Sequence, residues 1–271
     1  MFFRIVLAEM KKNIKQYFFS SRVLFWALAL PLGNGVYLYF LYLPFAAKSV
    51  NLEFNAFNFT LDLVGFTLIG QLLYSFFTMM LLAGAAFDRE REQGTLEVVL
   101  LSPANRLGIL LGGALSNAFN YVWLLIGVLL SWITFLNVNV SINDPLALLA
   151  SIIFSYFSLV ALGMCLEAFF IHSRRGTTYA TMMQEPIMFL SGLIFPLQSM
   201  PRALLPFSYL LPLTFGLISV RLSLLGGATI FDIAVPLTIL ASMGIIFFTL
   251  AVWLIGYAER TAKAKATLTQ F

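Results

Sequence analysis

The sequence predicts an all-α integral membrane fold, and three observations carry that reading. The chain is 61% hydrophobic and only 10% charged, too little polar surface to wrap a soluble domain of 271 residues. Runs of about 20 apolar residues, the length that crosses the hydrocarbon core as a helix, recur along it. Lysine and arginine are concentrated in alternate connecting segments. Helices are required because lipid offers no partner to an open backbone N–H or C=O.

Six spans are expected, roughly at 23–43, 61–87, 107–136, 146–171, 184–200 and 234–257. They divide the remaining chain into two sets. The N-terminus, 88–106, 172–183 and the tail hold Arg4, Lys11, Lys12, Lys15, Arg22, Arg89, Arg91, Arg106, Arg174, Arg175, Arg260, Lys263 and Lys265. The segments 44–60, 137–145 and 201–233 hold only Lys48, Arg202 and Arg221. By the positive-inside rule both termini are cytoplasmic, in the inner (plasma) membrane. The net charge of +4 is then topological, and no nucleic-acid partner is expected. The whole chain, 1–271, reads as one transmembrane domain.

Residues 1–20 form a separate amphipathic helix. Phe3, Val6, Leu7, Met10, Ile14, Tyr17 and Phe18 share one face, and Arg4, Lys11, Lys12 and Lys15 share the other. That pattern fits a helix lying in the membrane interface against lipid. Its interior charges, Arg4 and Glu9, and the lack of a small-residue cleavage site argue against a signal peptide. On the third span Gly108, Gly112 and Ser116 recur at intervals of four, a small-residue stripe suited to close helix packing.

The segment 184–225 is interrupted by Pro186, Pro196, Pro201, Pro206 and Pro212, so no straight helix passes through it. The fifth span is expected to break near Pro196. Residues 197–225 are expected to form short helices that dip into the outer leaflet and return.

Chemistry-bearing patterns are scarce. No glycine is followed by lysine, so no phosphate-binding loop exists, and there is no nucleophile elbow or His-Glu-x-x-His. His172 and Cys165 are the only residues of their types, which removes clustered zinc or haem ligation and a Cys-His pair. No catalytic residue, no metal site and no cofactor are therefore expected on this chain. Ionisable groups inside spans are the other place to look. Glu167 lies near the cytoplasmic end of the fourth span, and Gln184 and Glu185 begin the fifth, with Phe189 one turn on. These four are the candidate pathway residues.

Phe87–Pro103, "FDREREQGTLEVVLLSP", lies between spans two and three. Asp88 to Glu92 alternate in sign, Gly94 permits a turn and Thr95 can cap a short helix. Leu96, Val99 and Leu100 fall on one face. Spacing alone leaves two readings open: a surface that docks a soluble partner, or one that packs on the chain's own helices.

This loop, continued as "ANRLGILLGGALSN", resembles the first cytoplasmic loop of the ABC-2 type transporter permeases. "LSGLIFPLQSMPRALLPFSYLLPLTFGLISVR" resembles their fifth span with its re-entrant outer helices. The resemblance implies a permease of an ABC exporter that pairs with a second copy or homologue. It further implies two ABC ATPase subunits that bind ATP and Mg on their own chains. Residues 88–104 would be the coupling helix, with Glu90, Glu92, Gly94, Thr95, Leu96 and Glu97 docking the ATPase. The Gly-Thr-x-Glu stretch favours the drug, lipid and oligosaccharide branches over the polysaccharide and O-antigen exporters. An amphipathic, lipid-linked or drug-like substrate is expected. The alternative from another class, an ion-coupled carrier, calls for an inverted repeat that the sequence does not show.

Overall fold

The structure, a computed structural model, describes residues 2–15, positions 25, 29, 33, 36–37 and 40, and residues 51–54, 59–62, 69–75, 77–78, 94, 108–109, 111–113, 115–116, 142–170, 176–193, 197 and 200–264. The elements are α1 (Phe2–Asn13), β1 (Asn51–Phe54), β2 (Phe59–Asp62), α2 (Pro145–Phe170), α3 (Gly176–Leu190), α4 (Leu205–Tyr209), α5 (Pro212–Leu224) and α6 (Ala234–Ala264). The described residues at 25–40, 69–78 and 108–116 are helical as well.

Two strands interrupt the helical expectation. β1 and β2 pair antiparallel, with Asn51 opposite Asp62 and Phe54 opposite Phe59. The physical reason is local alternation: Leu52 and Phe54, and Phe59 and Leu61, sit two apart on four-residue strands joined by four residues. β2 runs to Asp62, so the second span starts later than residue 61.

α2 and α6 are long and apolar enough to cross a membrane, through the windows Pro145–Leu166 and Ala234–Tyr257. They occupy the places expected for spans four and six. α2 begins sharply because Asp144 caps it: the Leu146 N–H donates to Asp144 Oδ1 at 3.0 Å, and Pro145 fills the first position, where no N–H is missed. The apolar window of α6 ends in a stacked pair, Trp253 on Tyr257 with centroids 6.0 Å apart. Both rings are largely exposed, as aromatic side chains are at a membrane boundary.

A polar seam joins α2 to its neighbours. Ser151, Ser155 and Ser158 recur on one face of α2 and are fully buried. Ser151 Oγ donates to the Ala147 carbonyl at 2.8 Å and meets Ser223 Oγ of α5 at 3.2 Å. Gly216 of α5 faces Ser155 so closely that a Cβ there would stand 2.9 Å from its Oγ. Ser158 Oγ donates to the Leu240 carbonyl of α6 at 2.6 Å, while Gly244 of α6 accepts the Phe157 ring. Small residues let three backbones approach, and each hydroxyl finds a carbonyl or another hydroxyl except Ser155 Oγ, which has no partner among the described residues. Around one half of this seam lies the apolar core of Ala147, Leu197, Met200, Ile218, Leu222, Ala228, Ile233, Leu237 and Leu240.

The same end is tied by polar contacts. Asn143 Nδ2 donates to the Gly227 carbonyl at 3.2 Å, and Asp144 Oδ2 accepts from the Ile230 N–H at 3.0 Å. Asp232 accepts from the Thr229 N–H and hydroxyl at 2.8 and 2.7 Å, which holds its carboxyl below the usual carboxylate range. The start of α2 and the loop from α5 to α6 therefore share one end of the molecule.

The seam makes a paired prediction. Ser158→Ala removes a made bond and strands the Leu240 carbonyl's extra acceptor site, so it should destabilise by about 1 kcal/mol. Ser155→Ala deletes a hydroxyl without a described partner and should be neutral or slightly stabilising. Thermal unfolding of the purified variants in one detergent reads both. A Ser155→Ala loss equal to that of Ser158→Ala would contradict this account of the seam.

Candidate functional site

α3 differs from expectation in place and depth. It runs from Gly176 to Leu190, so the helix expected over 184–200 starts eight residues earlier and ends well short of Pro196. Pro186 lies inside it. The break falls at Gly192, whose φ of +77° is the left-handed conformation that ends helices and suits glycine.

What holds that break is Arg221. Its side chain leaves α5 and is 2% exposed. Nη1 donates to the Gly192 carbonyl at 3.0 Å, and Nη2 donates to the Leu193 carbonyl at 2.9 Å. A cation is thus placed in the turn that follows α3, close to the negative end of the helix dipole. Gly70 on the second helical segment completes the arrangement. A Cβ there would stand 2.5 Å from Arg221 Nη2 and 2.9 Å from the Leu193 carbonyl. Three elements meet at one guanidinium.

Glu185 is nine residues along α3, about 14 Å from its start at 1.5 Å per residue. The expected position at the start of the span is thereby corrected: this carboxylate lies toward the middle of the helix. It is exposed on the chain's surface and lies near the Tyr74 side chain of the second helical segment. Gln184 faces the other way. It is 8% exposed, and its Nε2 has no partner among the described residues. Met182, 61% exposed, and Phe189 extend the exposed surface around Glu185, while Met183, 42% exposed, lies on another side of α3. The structure thus brings Gln184, Glu185 and Phe189 onto one helix. Glu167 belongs to α2, but its side chain lies outside the described residues, as does most of 88–104. From that loop Gly94 alone is described, in a turn with φ +71°, a conformation that favours glycine there. Glu90, Glu92, Thr95, Leu96 and Glu97 lie outside.

Compared with known protein families, residues 43–253 match the ABC-2 family transporter proteins. The chain belongs to that family. It is therefore the membrane-embedded permease of an ABC transporter, a component whose ATP hydrolysis resides on a separate subunit. No curated protein matches the permease in the corresponding search. Membership also sets aside the ion-coupled carrier.

Arg221 and Gly70 escaped the sequence reading. Arg221 counted there only as one of three external cations. The available signal was its isolation within "FGLISVRLSLL", since a lone arginine in so apolar a helix needs acceptors nearby. Arg221→Met keeps the apolar stem and strands the two buried carbonyls, which should destabilise the permease by about 2–4 kcal/mol. Gly70→Ala should act in the same direction by displacing the guanidinium. Thermal unfolding checks both, and a wild-type midpoint for Arg221→Met would refute the capping role.

Proposed function

We propose that the permease exports an amphipathic, lipid-linked or drug-like substrate, along a route lined by α3 and completed by a second permease. The supporting observation is the exposed carboxylate of Glu185. A charged group facing hydrocarbon near mid-bilayer costs about 3 kcal/mol, so the surface of α3 that carries it belongs against water, a substrate or protein. Tyr74 lies near that carboxylate and adds a second polar group. Met182 and Phe189 supply the apolar contact that an amphipathic molecule gains without full hydration.

Exposed apolar side chains at Phe25, Val36, Tyr37 and Phe40 on the first helical segment are further surface for a partner permease, whether a copy or a homologue. Both termini face the cytoplasm of the inner (plasma) membrane, where residues 88–104 act as the coupling helix. Glu90, Glu92, Gly94, Thr95, Leu96 and Glu97 dock one of two ABC ATPases, which carry ATP and Mg. On the outer side α4 and α5 enter and return. α5 has 13 residues, about 20 Å of helix, against a hydrocarbon core of about 30 Å. An apolar lid results, over which a substrate leaves.

Two sets of substitutions separate route from coupling. Glu185→Gln should reduce transport at least severalfold while ATPase subunits still co-purify, because only the route is touched. Glu90→Lys with Glu92→Lys should instead weaken that co-purification by about 2–5 kcal/mol if the rim is desolvated, and uncouple ATP hydrolysis from transport. Undiminished transport by Glu185→Gln overturns the route, and intact assembly with intact coupling in the double reversal overturns the docking surface.

A further inference from the structure

A second apolar surface lies away from α3. Where α1, the helical residues 108–116 and α2 meet, a groove of about 290 Å³ is lined by Val6, Leu111, Leu115, Tyr156, Phe157 and Val160, with Phe3 at its edge, and only apolar surface faces into it.

Its walls are held apart by contacts that cannot simply close. α1 already touches the third helical segment at Gly112, where a Cβ would stand 2.8 Å from the Val6 carbonyl and 2.7 Å from Glu9 Cβ. Phe157 is wedged on its far side against Gly244 and pairs with Phe248 at 6.4 Å between centroids. The space far exceeds the roughly 30 Å³ of one water and offers water no hydrogen-bond partner, so it does not hydrate. Hydrocarbon fills it at low cost.

The charge beside the groove specifies which hydrocarbon. α1 has one acid, Glu9, which is occupied by Lys12 at 3.3 Å and Asn13 at 3.3 Å. Arg4, Lys11 and Lys15 recur at i, i+7 and i+11, one stripe of the helix, and all are exposed. That stripe adjoins the edge formed by Phe3, 73% exposed, and Leu7, 50% exposed. A molecule with an apolar tail and an anionic head satisfies both halves at once. A neutral lipid satisfies only the first.

We propose that this groove binds one acyl chain of an acidic phospholipid, whose headgroup phosphate is held by Arg4 and Lys11. The bound lipid fastens α1 to the third and fourth spans. It is a site apart from the α3 route and stands whether or not that route is correct.

The test uses the permease purified with its ATPase in mild detergent, washed, then offered phosphatidylglycerol or phosphatidylcholine with identical chains. Native mass spectrometry counts the lipid retained per permease. Wild type should retain one phosphatidylglycerol and prefer it over phosphatidylcholine by about tenfold or more, given two basic contacts. Leu115→Trp, which fills the groove from one wall, should lower retention of both lipids about tenfold, as should Val160→Phe from the opposite wall. The paired variant, Arg4→Glu with Lys11→Glu, should bring the two lipids near parity. Circular dichroism establishes that each variant keeps its helix content, and whichever filling variant folds carries the reading. Equal retention of the two lipids by wild type, or undiminished phosphatidylglycerol in a folded filling variant, overturns the proposal.

Discussion

A buried backbone carbonyl needs a donor. α3 ends at Leu190 and the chain turns at Gly192, so the Gly192 and Leu193 carbonyls follow the helix without a place in its ladder. Arg221 answers those two carbonyls with two donors of fixed geometry. The packing around the turn depends on that contact. Arg221 belongs to α5, so the position of α5 relative to α3 follows from the cap. Gly70 must be glycine-sized for the guanidinium to fit, so the second helical segment is placed by the same group.

From there the order propagates through α2. Its serines hold α5 on one side and α6 on the other, and the approach is close enough that Gly216 and Gly244 have no room for a side chain. Apolar burial contributes little between helices already surrounded by lipid, so shape and hydrogen bonds decide which helix packs where. The outer ties, Asn143 to Gly227 and Asp144 to Ile230, close the unit. α3 by contrast shows Met182 and Glu185 on its exposed surface. A packed block of α2, α5 and α6 thus stands beside a helix with an exposed carboxylate.

How much of this was legible depends on the scale of the signal. α2 and α6 were, because their apolar runs exceed a bilayer crossing; so was a break of the chain into short helices before Pro212. The helix expected from 184 begins at Gly176 instead: Gln184 and Glu185 read as a boundary in a local window, whereas the structure carries both inside α3. Arg221 shows the same limit: its meaning lies in the Gly192 and Leu193 carbonyls, 29 and 28 residues away. β1 and β2 were missed because four alternating residues are too few to stand out. The serine period in α2 was visible at Ser151, Ser155 and Ser158, but its partners Gly216 and Ser223 come from another helix. The coupling loop is the reverse case, a strong motif lying mostly outside the described residues.

The central claim is that α4 and α5 enter and leave the membrane from the same outer side, held there by Arg221. Accessibility of single cysteines measures this directly. Cys165 is the only cysteine and is buried, so its replacement by alanine gives a clean background. Arg202 precedes α4, and Phe231 follows α5; both are exposed. In intact cells Arg202→Cys and Phe231→Cys should both react with a membrane-impermeant thiol reagent added outside. Reaction at only one of the two positions, with the other protected until the membrane is opened, would mean that the chain crosses between them and would contradict the account.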